Sequence, residues 1–394
     1  MYSKFAFLLC FFATGLNGQT QFAGPITATS GSTGTLIPYD WAENRFVLQS
    51  WDAAVSNVDS GGSARARYLW TGDSWSADGA QQLRAYFNKI YPDGGEGFKD
   101  LSPIVAGQGF NGSLTQTGTW TNAINNWTGA FGPGSTLSTT SDTATPASAT
   151  VNFSNPTQTV SVWYIKQPTG GTFNWRRTAS GATSGYTAQS TVGPANTLGT
   201  LAISVGGNSI TSVDLQLASG TVQFVGIVSD SGTAGIIMHN IGRPGTMASD
   251  FFGADAALWQ AEVAALAPNV VILEFGVNEI IQNKTPAQQI TAIAGLVARI
   301  NAAVPDAGII LVPPAHISDS YGTTYKIADF VNAQEAYARS AGLGFFSMYK
   351  ILTPYDSPFA GGRQLWNNDD HYSTRGARVV MNVLGNWMML GARH

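Results

Sequence analysis

The sequence predicts an α/β protein with a parallel sheet that is interrupted by a β-rich insertion. From 235 onward, short apolar runs alternate with longer amphipathic stretches, as buried parallel strands and their connecting helices do. Between 95 and 234, period-2 runs separated by Gly and Asn indicate the antiparallel strands of a β-sandwich. A single apolar run before that segment, at 66–70, predicts a strand that belongs with the later parallel strands.

The first 18 residues predict a secretory signal peptide. One cation, Lys4, precedes the apolar run 5–13, and small and polar residues follow up to Gly18. The sole cysteine, Cys10, lies in that run and would leave with it, so no disulfide is expected. The mature protein is expected to be secreted, extracellular or periplasmic, with no membrane association after cleavage. A buried first helix is the alternative.

The rest of the chain divides into three segments that differ in composition and hydrophobic pattern. We predict the first part of the α/β domain at 19–94, the β-sandwich insertion at 95–234 and the second part of the α/β domain at 235–394. Within the insertion, 159–165 and 213–217 show the clearest alternation. The alternative, two separate domains in series, leaves the N-terminal strand without a partner.

The second part of the α/β domain has well-marked elements. Thr285 and Pro286 are typical of a helix N-cap and first helical position. The predicted strands are 270–275, 308–312 and 343–346, and the predicted helices are 256–266, 286–303, 327–341 and 374–389.

The charge pattern argues against a nucleic-acid partner. The formal net charge is -4, and the few Lys and Arg residues are scattered rather than clustered. Nucleic acid is therefore not expected as a partner.

Four short blocks supply the groups that nucleophilic acyl transfer needs. The reaction requires a hydroxyl, a base, an orienting group for that base, and donors for the oxyanion. Three blocks follow apolar strands, and the fourth opens the last helix. Singly, each also suits an ordinary loop. The blocks are Gly72-Asp73-Ser74, 239–246 with Gly245, 274–279 with Asn278, and 367–374 with His371.

In order and context, the four blocks resemble those of the SGNH (GDSL-like) hydrolase superfamily. The resemblance implies a three-layer, flavodoxin-like α/β domain. It implies that Ser74 is the nucleophile and His371 the base. It also implies an oxyanion hole built from the Ser74 and Gly245 N–H groups and the Asn278 amide. No metal and no cofactor are implied.

A narrower resemblance concerns the region after the nucleophile block. Arg84, the run 91–98 and the β-rich insert resemble polysaccharide and peptidoglycan O-acetylesterases with an inserted, jelly-roll-like carbohydrate-binding module. The implied partner is an acetylated polysaccharide or another ester substrate. Two alternatives stay open: a general short-chain carboxylesterase or lipase, and a carbohydrate-binding protein with a decayed hydrolase site.

The chain departs from the family at the orienting position. The family has Asp three residues before the histidine, and Asn368 stands there instead. An amide carbonyl can accept the imidazole N–H but brings no charge to support the imidazolium. Asp369 and Asp370 are alternative orienting acids.

Aromatic residues mark the possible substrate contacts. Trp75 adjoins Ser74 and is expected to line the substrate cleft. The aromatic residues of the insert either stack on sugar rings or fill its core. They are Trp120, Trp127, Trp163, Tyr164 and Trp175.

Overall fold

The computed structural model describes residues 42–101, 112–123, 137–140, 146–207, 209–315, 323–352, 365 and 371–391. Its strands are β1 (Ala42–Glu43), β2 (Arg65–Gly72), β3 (Gly97–Asp100), β4 (Ser113–Thr117), β5 (Thr121–Ala123), β6 (Leu137–Thr140), β7 (Ser148–Thr157), β8 (Thr159–Lys166), β9 (Thr172–Ala179), β10 (Ala182–Thr183), β11 (Thr187–Ser190), β12 (Thr197–Ser204), β13 (Ile210–Ser219), β14 (Val222–Asp230), β15 (Gly235–Asn240), β16 (Val270–Glu274), β17 (Gly308–Leu311) and β18 (Gly344–Phe346). Its helices are α1 (Gln49–Asp59), α2 (Ser74–Phe87), α3 (Ala248–Gly253), α4 (Ala256–Leu266), α5 (Val277–Ile281), α6 (Pro286–Ala303), α7 (Ile327–Ala341), α8 (Met348–Leu352) and α9 (Thr374–Met389). A 3₁₀ turn at Arg45–Leu48 precedes α1.

One sheet is parallel apart from its first strand. In the described part of the chain it has six strands in the order β1-β18-β17-β16-β2-β15, and only β1 runs antiparallel to its neighbour. Strand β2 pairs in parallel with both β15 and β16. The strand that precedes the β-rich segment therefore belongs to the same sheet as the strands that follow it.

Alternate residues of the central strands pack into two different hydrophobic cores. On β2, Tyr68 and Trp70 join the core formed with α1, α2 and α9. Leu69, between them, joins the core formed with α4, α6 and α7. Since successive side chains of a strand point to opposite faces, helices cover both faces of the sheet. The result is a three-layer α/β arrangement.

The β-rich segment forms two antiparallel sheets. One has the order β10-β9-β13-β7-β4 with β11 beside β9, and the other has the order β12-β8-β14-β6-β5 with β3 beside β14. Apolar residues of both sheets share one hydrophobic cluster, for example Val213 and Phe224. On β8, Val162 points into that cluster, while Trp163 packs into the α/β core. The second sheet thus has apolar contacts on both faces.

The elements predicted for the second α/β part are confirmed. Helices α4, α6, α7 and α9 have the predicted limits, and Thr285 caps α6 through its side chain. Strands β16, β17 and β18 fall within the predicted strands. The domain limits remain predictions. The signal peptide at 1–18 lies outside the described residues.

No helix in the described ranges combines the length and the apolar character that a membrane crossing requires.

Candidate active site

The nucleophile block lies where β2 ends and α2 begins. Asp73 is the N-cap of α2, and its side chain accepts a hydrogen bond of 2.9 Å from the Trp75 N–H. Gly72 is needed before it, because a Cβ there would lie 2.3 Å from the carbonyl oxygen of Glu274 on β16. Ser74 is therefore the first residue of α2, where a backbone N–H has no acceptor within the helix.

His371 lies beside Ser74. Its Nε2 atom is 2.7 Å from the Ser74 Oγ atom, and both residues are half-buried. The next residue, Tyr372, donates a 2.6 Å hydrogen bond from its hydroxyl to the Trp75 carbonyl. Ser373 then caps α9 by accepting from the Gly376 N–H. Helix α9 and the start of α2 together fix the position of the imidazole.

Trp75 does not line the substrate cleft, and that prediction is wrong. Its side chain is fully buried in the core that α1, α2 and α9 share with the sheet. The indole ring stacks on the His371 ring at 6.3 Å between centroids and contacts Tyr372 edge-on at 4.5 Å. As the second residue of α2, its side chain points inward while Ser74 stays half-exposed. The buried Trp75 ring therefore packs against the His371 ring.

The second block wraps around the start of α2. The Asn240 amide donates to the Ser76 carbonyl at 3.2 Å and accepts from the Gly242 N–H at 2.8 Å. A Cβ on Gly242 would lie 1.6 Å from the Ser76 Oγ atom, so only glycine fits there. Gly245 has a φ of 77° and is exposed. The turn that carries Gly245 is thus built against the nucleophile helix.

Asn278 connects three of the four blocks. Its Nδ2 atom donates to the Asp73 carboxyl at 3.3 Å and to the Thr246 carbonyl at 3.0 Å. Asp73 precedes Ser74, and Thr246 follows Gly245. The Asn278 amide thus lies between the first two blocks, and its role as an oxyanion donor remains a prediction.

The first and third blocks also contain buried carboxyl groups. Burial raises the pKa of Asp73 to about 7, although the Trp75 N–H and His371 oppose the shift. Burial also raises the pKa of Glu279 to about 8, although it accepts a 2.7 Å hydrogen bond from the Ala248 N–H. Glu274, on β16, is fully buried beside Gly72. Burial thus raises the pKa values of two carboxyl groups in this region, those of Asp73 and Glu279, toward neutral pH.

Three residues are candidates for orienting His371. Asn368, Asp369 and Asp370 lie outside the described residues. What accepts the second ring N–H of His371 remains a prediction.

The sequence reasoning missed two supporting roles. The motif Gly72-Asp73-Ser74 does not by itself reveal the capping role of Asp73, although Asp before an apolar helix is a normal N-cap signal. Tyr372 gave no signal, since its partner Trp75 lies 297 positions away. Among the described residues, no group of His, Cys, Asp and Glu side chains is arranged to hold a metal ion.

Comparison with protein families gives one match. Residues 205–379 match the GDSL-like Lipase/Acylhydrolase family. The matched range includes Gly245, Asn278 and His371 but not Ser74. No curated protein sequence matches the chain.

Several solved structures align with this chain. A peptidoglycan O-acetylesterase aligns with a TM-score of 0.64 at 19% identity, over 86% of this chain and 94% of its own. A family two carbohydrate esterase from Clostridium thermocellum gives 0.28 at 13% identity, over 71% and 98%. A carbohydrate esterase family 2 enzyme with a carbohydrate-binding domain, from Corynascus thermopiles (Myceliophthora fergusii), gives 0.31 at 11% identity, over 71% and 99%. The first of these shows a common fold over most of both chains.

Proposed function

We propose that this chain, whose residues 205–379 match the GDSL-like Lipase/Acylhydrolase family, is an SGNH (GDSL-like) hydrolase and a secreted serine esterase that removes O-acetyl groups from a polysaccharide. The single observation that carries the catalytic part is the 2.7 Å contact between the Ser74 Oγ and His371 Nε2 atoms. A hydroxyl within hydrogen-bond reach of an imidazole is the arrangement that activates a serine for acyl transfer.

The first half-reaction transfers the acetyl group to the enzyme. His371 takes the Ser74 proton through Nε2 while Oγ attacks the ester carbonyl carbon. The carbonyl oxygen becomes an oxyanion, and the tetrahedral intermediate collapses when the bond to the sugar oxygen breaks. His371 returns the proton to that oxygen, so a free sugar hydroxyl leaves and acetyl-Ser74 remains.

The second half-reaction repeats these steps with water. His371 takes a proton from water, whose oxygen attacks the acetyl carbon. The intermediate collapses to acetic acid, which ionises in solution, and Ser74 regains its proton from His371.

Asn278 is suited to stabilise the transition state more than the bound substrate. Its 3.3 Å hydrogen bond to Asp73 is long, and Asp73 is fully buried. A developing oxyanion would replace this long contact with a short, charge-assisted one, which forms only as the reaction proceeds. The N–H groups of Ser74 and Gly245 would complete the oxyanion hole.

The substrate assignment rests on resemblance. The order of the sequence blocks and the β-rich insert resemble polysaccharide and peptidoglycan O-acetylesterases. The segment after α2 is part of this resemblance, and Arg84 holds it in the structure. Arg84 pairs with Asp93 at 2.7 Å and donates to the Gly95 and Glu96 carbonyls. Arg84 thus holds the segment that leads into β3.

The shared hydrophobic cluster supports a second structural proposal, that the two antiparallel sheets form a β-sandwich insertion. Trp163 and Tyr164 are both buried, Tyr164 in this cluster and Trp163 in the α/β core, which favours a core role for both. Trp120 and Trp175 are half-buried, so part of each ring is available to stack on a sugar. Trp127 lies outside the described residues.

Acetate release tests the proposed function. We expect Ser74→Ala to abolish acetate release from an acetylated glycan and from p-nitrophenyl acetate, and to abolish labelling by a fluorophosphonate probe. Ser60→Ala, at the exposed end of α1, is the control and should change neither. Unchanged acetate release by Ser74→Ala would refute the mechanism.

Substrate preference separates the proposal from its alternatives. Faster turnover of p-nitrophenyl octanoate than of the acetate would favour a general carboxylesterase or lipase. Glycan binding without labelling of Ser74 would favour a binding protein with a decayed site.

A further inference from the structure

Two opposite charges are buried beside the candidate active site. The Nη2 atom of Arg243 lies 2.9 Å from the Oδ2 atom of Asp100, and both side chains are 1% exposed. The Nε and Nη1 atoms of Arg243 have no hydrogen-bond partner among the described residues. Burying charges is costly and often adds little stability compared with an apolar pair. Such a pair therefore suggests a role in geometry.

The pair joins two structurally distinct regions. Arg243 lies in the turn between β15 and α3, two residues before Gly245. Asp100 is the last residue of β3, where it pairs with Gly226 of β14 in the second antiparallel sheet. One ion pair thus ties the Gly245 turn to a sheet of the β-rich segment.

The Arg243 backbone continues this link to the oxyanion donors. Its N–H donates to the Gly72 carbonyl at 2.8 Å, and its own carbonyl accepts from the Thr246 hydroxyl at 2.7 Å. The Thr246 carbonyl in turn accepts from the Asn278 amide at 3.0 Å. Movement of Arg243 would therefore displace both the Gly245 turn and the acceptor that orients Asn278.

Asp100 interacts with a second buried cation besides Arg243. Lys99 is also buried, and the burial lowers its pKa while the Asp100 carboxylate opposes that shift. Arg243 and Lys99 repel each other in the same low-dielectric region, so Asp100 compensates two cations. Neutralising Asp100 should push Arg243 away from its present position.

We propose that Asp100 and Arg243 are positioning residues for the oxyanion hole, so that the β-rich segment contributes to turnover through this ion pair. The inference rests on the proposed esterase function. A displacement of about 1 Å in such a donor lowers turnover by about 100-fold, whereas ground-state binding depends on it much less.

Kinetics of Asp100→Asn test the proposal. We expect kcat on p-nitrophenyl acetate to fall by about 10- to 100-fold, with KM within about threefold of the wild-type value. Asp214→Asn is the matched control, because Asp214 pairs with Arg176 at 2.7 Å on the other antiparallel sheet. That control should keep wild-type kcat. An Asp100→Asn enzyme with the kcat of Asp214→Asn would overturn the proposal.

A double variant separates positioning from folding. Asp100→Leu combined with Arg243→Met removes both charges, and apolar replacements of buried ion pairs often keep or increase stability. We expect a wild-type unfolding temperature or higher together with a kcat that stays at least about 10-fold low. A double variant with both a wild-type unfolding temperature and a wild-type kcat would show that the pair has only a structural role.

Failure of this inference differs from failure of the proposed function. If Ser74→Ala retains acetate release, the esterase mechanism itself is wrong. If Ser74→Ala is inactive while both ion-pair variants keep wild-type kcat, only the positioning role is wrong.

Discussion

The His371 Nε2 atom lies 2.7 Å from the Ser74 Oγ atom, although the two residues are 297 positions apart in the chain. In the proposed mechanism His371 takes the proton of Ser74, so the effects of removing the two side chains should not be additive. We expect His371→Ala to lower kcat on p-nitrophenyl acetate by at least about 10³-fold, and Ser74→Ala/His371→Ala to be no slower than the slower single variant. Steady-state kinetics measure both values. A double variant much slower than either single one would contradict a shared role.

Asn278 should affect turnover more than binding. We expect Asn278→Ala to lower kcat by about 10²- to 10³-fold with little change in KM, because an oxyanion donor is lost. The exposed Asn301 of α6 provides the control, and Asn301→Ala should keep wild-type kinetics. If KM rises while kcat is unchanged, Asn278 binds the ground state instead.

Glu279 should make stability fall with increasing pH. Its pKa is about 8 in the folded protein and 4.5 without burial. Between these values the folded protein holds more protons than the unfolded chain, so the free energy of unfolding falls as pH rises, by up to about 1.4 kcal/mol per pH unit. The loss is complete above about pH 8.

Glu279→Gln should remove this component. Gln keeps an oxygen for the Ala248 N–H and resembles the protonated acid. We expect urea unfolding to show a flatter pH dependence than wild type, with the variant the more stable protein at about pH 9. Asp306→Asn, at an exposed position, should follow the wild-type profile. Parallel profiles for Glu279→Gln and wild type would show that Glu279 ionises normally.

Gly97 should tolerate no side chain. It has a φ of 76°, and a Cβ there would lie 1.8 Å from the Met238 carbonyl oxygen. Gly97→Ala should lower the free energy of unfolding by about 3 kcal/mol, because clash and backbone strain add. Gly181 has a φ of 78° but open space around it, so Gly181→Ala should cost only about 1 kcal/mol. Equal losses in urea unfolding would mean that the clash is relieved.

The residue that orients His371 can be found by three substitutions. Asn368→Ala, Asp369→Ala and Asp370→Ala remove the candidates one at a time. We expect Asn368→Ala to lower kcat most, and Asn368→Asp to raise it above wild type, because a carboxylate supports the imidazolium. A larger loss in Asp369→Ala or Asp370→Ala would assign the role to that acid.

The sequence was most informative where local signals agree. Helix α6 has a Thr285 cap, Pro286 at its first position and apolar residues at helical spacing, and its predicted limits are confirmed. Strands β16 to β18 are short apolar runs that lie between helical stretches in the sequence, so they too can be predicted.

Side-chain directions and long-range contacts could not be predicted from the sequence. Trp75 adjoins Ser74, yet helix geometry turns the two side chains to different surroundings. The pairing of Asp100 with Arg243 depends on how two sheets meet, which no local pattern encodes. The four blocks predicted which groups are present but not that Asn278 contacts Asp73 and Thr246.

The parallel pairing of β2 with β15 has a consequence for folding kinetics. The two strands, Arg65–Gly72 and Gly235–Asn240, can pair only when the chain between them closes into a loop. That loop contains the whole antiparallel region. The entropy of closing such a loop must be lost before the strand contacts compensate for it, which slows folding. If the antiparallel sheets form first, they shorten the effective loop and bring the two strands together. The folding of the β-rich segment would then determine the rate at which β2 pairs with its neighbouring strands.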